Sequence, residues 1–219
     1  MSTPVVLSWS SGKDSAFMLQ TLAADPDWDV VAMVTALHDG EVTMHGTPDA
    51  LVRDQARAAG VALHTVELPW PCRNEVYAAR HRELFARLAA DGIGHIAYGD
   101  LHLEDVRAWR EQLLADSGLA PVFPLWARPT PALAREIIAS GIGAQVVCVD
   151  TDRLPAAFVG RSYNDAFIDD LPDGVDPCGE GGEFHTFVWR SPCFDRPLEI
   201  HVRGYHDDGR FRRAILEAG

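Results

Sequence analysis

The chain has 219 residues, 47% of them hydrophobic and 23% charged, with 19 basic against 32 acidic side chains for a formal charge of −13. This apolar fraction at this length excludes a disordered, solvating tail and supplies a core for one large domain or two unequal ones. The acidic field disfavours nucleic acid and anionic membranes as partners held by overall charge, so an anionic ligand requires a locally positive pocket.

Pro4 to Trp9 is a short apolar run that reads as a strand. It is followed by Ser10-Ser11-Gly12-Lys13-Asp14-Ser15 and then by a helical spacing of apolar residues from Asp14 to Ala24. Lys13 is the single lysine; every other basic residue is arginine. A compact ammonium is thus favoured where a planar guanidinium would be too large. A loop of small residues between strand and helix offers backbone N–H groups and a helix N-terminus to an anion. The competing reading is a plain turn in which Ser10 or Ser11 caps the helix. The P-loop pattern is excluded, because Leu7 stands at its first glycine and Asp14 follows the lysine.

Val30 to Leu37 is an unbroken, valine-rich run of the kind buried on both faces of a sheet. A loop through Gly40, His45 (flanked by Met44 and Gly46) and Pro48 follows, then a helix from Asp49 to Ala59 stopped by Gly60, and a strand from Val61 to Leu68. Asn74 to Ala90 is amphipathic and closes at Gly92, and His95 to Tyr98 is a fourth strand. Strands alternating with helices predict a doubly wound parallel α/β sheet. Ligands then bind beyond the carboxyl ends of the strands, where the Ser10 loop, the His45 loop and Gly99-Asp100 emerge. From about Leu119 the pattern changes, with five prolines between Pro121 and Pro155, a helix over Pro131–Ser140 and a strand over Gln145–Val149. Glu183–Arg190, Leu198–Tyr205 and a strand from Arg210, with a turn at Asp207-Asp208-Gly209, predict an antiparallel tail. The expected organisation is residues 1–125 as one domain and residues 126–219 as a smaller α+β domain.

Cys72, Cys148, Cys178 and Cys193 have no C-x-x-C spacing and read as packed thiols. Together with the lack of a signal-peptide pattern or a membrane-length apolar run, they predict a cytoplasmic protein.

Ser10 to Ser15 after an apolar strand resembles the SGGxDS PP-loop of the adenine nucleotide alpha hydrolase-like ATP pyrophosphatases, with Ser11 in place of the usual first glycine. Two longer segments narrow the resemblance. Gly99-Asp100-Leu101-His102-Leu103-Glu104-Asp105-Val106-Arg107 with Trp109-Arg110-Glu111, and Asp176-Pro177-Cys178-Gly179-Glu180-Gly181-Gly182-Glu183-Phe184-His185-Thr186-Phe187, are similar to signature segments of the diphthine–ammonia ligase family. The resemblance implies a HUP-like PP-loop fold. It also implies cleavage of ATP between its α- and β-phosphates, an acyl-adenylate, and attack by ammonia to give an amide on a carboxylate acceptor, small molecule or protein.

On this reading Ser10, Ser11, Gly12, Lys13, Asp14 and Ser15 cradle the phosphates, and Asp14 and Asp100 are candidate Mg2+ ligands. Gly99 lies against the nucleotide, His45 either contacts it or is an ordinary polar loop residue, and Met33 and Val34 lie against the base by analogy. Arg107 and Arg110, three apart, either meet phosphate charge or pair with Glu104, Asp105 or Glu111 on a solvated face. Glu104, Glu180, Gly182, Glu183, His185 and Thr186 are assigned to the second substrate, with Lys13, Asp100, Glu183 and His185 as the catalytic set. Glu183 and His185, two apart, share a face if they lie on a strand. Two other readings stand beside the ligase: a noncatalytic adenine-nucleotide module, for which the Glu180–His185 segment has no use, and a tRNA-modifying PP-loop enzyme, which calls for a basic surface that is missing. The assembly is left open, a homodimer included. Nine carboxylates between Asp150 and Glu183 face only Arg153 and Arg161 there, so the expectation is a cationic loop opposed by an acidic lobe.

Overall fold

Segments rich in valine, leucine and alanine form the parallel strands of a central sheet in the computed structural model, which describes residues 2–43 and 45–219. Met44, one flank of His45, lies outside the described residues. In chain order the first part comprises β1 (Thr3–Ser8), α1 (Lys13–Ala23), β2 (Trp28–His38), β3 (Glu41–Val42), α2 (Asp49–Ala59), β4 (Ala62–Glu67), α3 (Asn74–Ala90), β5 (His95–Ala97), α4 (Glu104–Leu114) and β6 (Ala120–Val122). Strands β4, β2, β1, β5 and β6 lie side by side and parallel, and β3 adds a short antiparallel pairing to the end of β2. Strand β6 was not evident from the sequence: its central Pro121 has no N–H for a ladder, and the strand is tolerated because it lies at the sheet edge.

Alternation along β1 sends Val5 and Leu7 to one face and Val6 to the other. The first face packs on Phe17 and Met18 of α1 and Leu51 and Val52 of α2, the second on Leu84, Phe85 and Leu88 of α3 and Leu113 and Leu114 of α4. The result is a three-layer α/β sandwich with a mostly parallel sheet.

The second part contains α5 (Thr130–Ala139), β7 (Gly143–Asp150), a 3-10 turn (Ala156–Phe158), α6 (Asp165–Asp169), β8 (Phe184–Arg190), β9 (Ile200–Asp207) and β10 (Phe211–Ala218). Its sheet is antiparallel throughout in the order β8-β7-β10-β9. The cores of the two parts are continuous, since Phe17, Met18 and Leu51 belong to the same buried cluster as Val146, Phe184, Phe187 and Val188. Main-chain bonds also cross between them: the Val188 N–H donates to Ser11 O at 3.0 Å, and the Asp195 N–H donates to Ala58 O at 2.7 Å.

Candidate active site

Strands β1 and β5 end side by side, so the loops that follow them face each other across a cleft. That cleft is the mouth of a cavity of about 330 Å3 lined by Ser10, Lys13, Asp14, Ser15, Val34, His45, Gly99, Asp100, Arg110, Glu180, Gly182, His185 and Thr186, all singled out in the sequence. Within the loop, Ser10 Oγ lies 3.0 Å from Ser15 Oγ. Gly12 sits in a close approach: a Cβ there would stand 3.1 Å from His45 Cε1 and 3.2 Å from Thr186 O. Ser11 is buried beneath the loop with φ +72°, its hydroxyl 2.9 Å from Thr47 Oγ1, and it does not line the cavity.

Lys13 is 2% exposed. Its N–H donates to Thr186 Oγ1 at 3.0 Å, and its ammonium donates to Asp14 Oδ2 at 2.8 Å and to the Cys178 carbonyl, with the rings of Tyr163 and Phe184 at 5.3 and 5.4 Å. Burial pulls the Lys13 pKa down, but Asp14, Cys178 and Glu180 overcome it and hold the ammonium above the ordinary lysine value. A fixed full charge therefore stands at the helix N-terminus, walled too tightly for a guanidinium.

Two imidazoles meet at a tilt on the other wall, His45 and His185, with centroids 4.5 Å apart and planes 38° from parallel. His45 Nδ1 lies 3.3 Å from Thr186 O; a carbonyl only accepts, so Nδ1 carries the hydrogen. Burial, then Lys13, lowers the His185 pKa to about 4, and burial, then His185, holds His45 well below its ordinary value. Both rings are neutral near pH 7, and His185 Nε2 is buried with no partner.

Opposite them, Arg110 donates to Asp100 Oδ2 at 3.4 Å and to Tyr77 Oη at 3.3 Å, beneath the face of Tyr98 at 4.6 Å. Glu180 Oε1 accepts the Leu101 N–H at 2.7 Å and so pins the loop after β5. Burial, with Asp14 and Asp100 adding to it, raises the Glu180 pKa. Asp14 Oδ1 is buried without a partner. No three His, Cys, Asp or Glu side chains among the described residues converge to hold a metal unaided. The unpartnered Asp14 Oδ1 is a hard oxygen donor of the type that an oxygen-binding cation takes.

Besides Ser11 and Gly12 of the loop itself, four residues singled out in the sequence lie outside the cavity. Met33 is wholly buried in the core with Phe17 and Leu51, because its neighbour Val34 takes the cavity-facing position of β2. Glu104 is exposed in the first turn of α4. Arg107 pairs with Glu111 at 2.9 Å and stacks over Trp126 at 4.7 Å. Glu183 precedes β8, so strand alternation does not tie it to His185; its carboxylate meets Arg153 at 3.1 Å, with Oε2 buried and unpartnered. The Cys178 thiol is pushed up to about 12 by burial, in keeping with packing, and all four cysteines are free.

The sequence reading missed Tyr77 and His81, which line the cavity from α3 and stack at 3.8 Å, and it missed Gln55 behind the loop. The available signal was a polar residue inside an apolar helical stripe: His81 among Leu84, Phe85 and Leu88, and Gln55 among Leu51, Val52 and Ala56.

The family model described as the diphthamide synthase C-terminal domain matches residues 129–214. A diphthine–ammonia ligase of Danio rerio is 35% identical over 108 residues, 46% of this chain and 42% of that protein's own length. Diphthine–ammonia ligases of Homo sapiens and Mus musculus are 24% and 25% identical over 214 residues, 87% of this chain and 80% of each relative. A U34-tRNA thiolase from Methanococcus maripaludis superposes over 63% of this chain and 56% of its own at a TM-score of 0.40 and 14% identity, too loose a likeness to bear on substrate. Loop, cavity and C-terminal segment thus come together in a chain that is similar to diphthine–ammonia ligases along most of its length and to the diphthamide synthase C-terminal domain over residues 129–214.

Proposed function

We propose that the protein is an ATP-dependent ligase that adenylates a carboxylate, releases pyrophosphate, and forms an amide from ammonia. The observation that carries this reading is the bond from the Lys13 ammonium to the Cys178 carbonyl: it joins the phosphate-type loop directly to the segment assigned to the second substrate. The names of the relatives, diphthine–ammonia ligase, support the same class of reaction.

In the first step a carboxylate oxygen of the acceptor attacks the α-phosphorus. The bond from that phosphorus to the bridging oxygen breaks, and pyrophosphate leaves with the electron pair. The backbone amides of the loop after β1 and the Lys13 ammonium meet the charge that develops on the departing phosphates. Arg110 supplies a second cation from the far wall, and Val34 offers an apolar surface to the base. Asp14 and Asp100 would hold Mg2+, which supplies charge neutralisation on the phosphates when bound.

In the second step the ammonia nitrogen attacks the acyl carbon. The bond to the AMP oxygen breaks, AMP leaves with the pair, and the nitrogen gives up one proton to water. His185, a ring on the cavity wall kept neutral by burial, accepts an N–H of the incoming ammonia and orients its lone pair; a protonated ring would repel ammonium and offer no acceptor. Residues 1–125 then hold the nucleotide, and residues 126–219 supply His185 and the loop that closes over the acceptor.

Incubation with ATP, Mg2+, ammonium and a panel of carboxylates, with nucleotides resolved by ion exchange, is expected to give AMP and pyrophosphate in equal amounts. Formation of ADP and phosphate instead would overturn the adenylation reading.

A further inference from the structure

Ser11 holds φ +72°, a region in which a side chain crowds its own backbone and glycine alone is at ease. Strain of this kind persists only where the surroundings over-determine it. Three bonds do so at Ser11. Its hydroxyl lies 2.9 Å from Thr47 Oγ1, and its carbonyl accepts the Val188 N–H at 3.0 Å and Gln55 Nε2 at 3.1 Å.

Gln55 is the pivot of this arrangement. Its side chain is fully buried on the apolar face of α2, yet every hydrogen of its amide is used. Gln55 Oε1 accepts the Trp9 indole N–H at 2.8 Å, and Nε2 donates its other hydrogen to Val188 O at 2.7 Å. One side chain thus ties the residue after β1, the strained loop residue and strand β8 together. Ser10, Lys13, Asp14 and Ser15, which face the cavity, hang from the segment it clamps.

We propose that Gln55 is a positioning residue for the anion-binding loop, bracing Ser11 in its left-handed conformation so that the following amides and Lys13 point at the phosphates. The inference rests on the nucleotide reading above and adds a residue that touches neither nucleotide nor acceptor. A role in packing alone would make Gln55 matter to stability and leave nucleotide affinity untouched.

The test compares Gln55→Met, similar in volume and unable to make these bonds, in the wild-type and Ser11→Gly backgrounds. ATP affinity is measured by titration calorimetry, and the folded fraction is fixed by circular dichroism. Gln55→Met is expected to weaken ATP binding about tenfold with Ser11 present, and no more than about twofold with Ser11→Gly, since glycine needs no brace. Equal losses in the two backgrounds, or unchanged affinity in folded Gln55→Met, would overturn the proposal. If Gln55→Met does not fold, Thr47→Val removes the other brace and is expected to show the same dependence on Ser11; a loss independent of Ser11 overturns it equally. A wild-type chain that does not bind ATP refutes the nucleotide reading itself. That outcome is distinct from one in which the wild type binds and the paired variants fail to diverge.

Discussion

The most demanding position in the cavity is that of Lys13, because its ammonium is enclosed by Asp14, the Cys178 carbonyl and two aromatic rings. Lys13→Met removes the charge and keeps the stem; Lys13→Arg keeps the charge and overfills the site. Both are expected to lower ATP turnover by about 100-fold or more, the scale seen when one preorganised donor is lost from a reacting oxyanion. Turnover retained in Lys13→Arg would mean that the surrounding groups do not define the site. Lys13 was legible because composition and local motif coincide on it. Tyr77 and Thr47 were not, since each meets its partner, Arg110 or Ser11, from far away in sequence, and a single polar residue in a helical stripe, such as His81, has several structural explanations. Met33 and Val34 show the same limit at one residue's resolution: the run Val30–Leu37 marks a strand buried on both faces, and only packing decides which face meets the cavity.

At the level of elements, the alternation of apolar runs and helices made the parallel sheet legible; α2 and α3 span the residues their apolar spacing predicts, and α2 stops at Gly60. Strand β6 escaped because proline suppresses the strand signal at a sheet edge. What no periodicity encodes is how the segment before β8 meets the loop after β5. Glu180 makes that junction, accepting the Leu101 N–H at 2.7 Å with His102 N at 3.4 Å. Glu180→Ala leaves the Leu101 N–H without its acceptor in a partly buried setting. The expected cost is about 1–3 kcal/mol in urea unfolding, with faster amide exchange at Leu101 and at its neighbours. Unchanged stability together with unchanged exchange would show that the two elements are held in register by packing alone.

For the molecule as a whole, the excess of negative charge and the buried histidines make opposite demands on pH. The acidic lobe is less bare than its sequence suggests, since Arg135 reaches Asp165 and Asp169, Arg210 reaches Asp150, and Arg161 reaches Asp170. Self-repulsion of a −13 chain, screened by salt, would by itself make the fold most stable near its isoelectric point of about 5.0. The histidines predict otherwise. His81 is 4% exposed, and burial lowers its pKa to about 4, as burial also does for His185. An unfolded chain takes up these protons near pH 6.5, whereas the folded chain resists until about pH 4. Below pH 6.5 the unfolded state therefore binds more protons and is favoured; above it neither state carries them and the full stability is present. For His81 the loss between those limits is at most about 3 kcal/mol, large against net stabilities of about 5–15 kcal/mol. Urea midpoints are thus expected to fall steadily from pH 7 to pH 4.5, with His81→Phe, which keeps a ring against Tyr77, showing a shallower slope. A maximum near pH 5 would mean that surface repulsion, and not the buried imidazoles, governs the acid limb of stability.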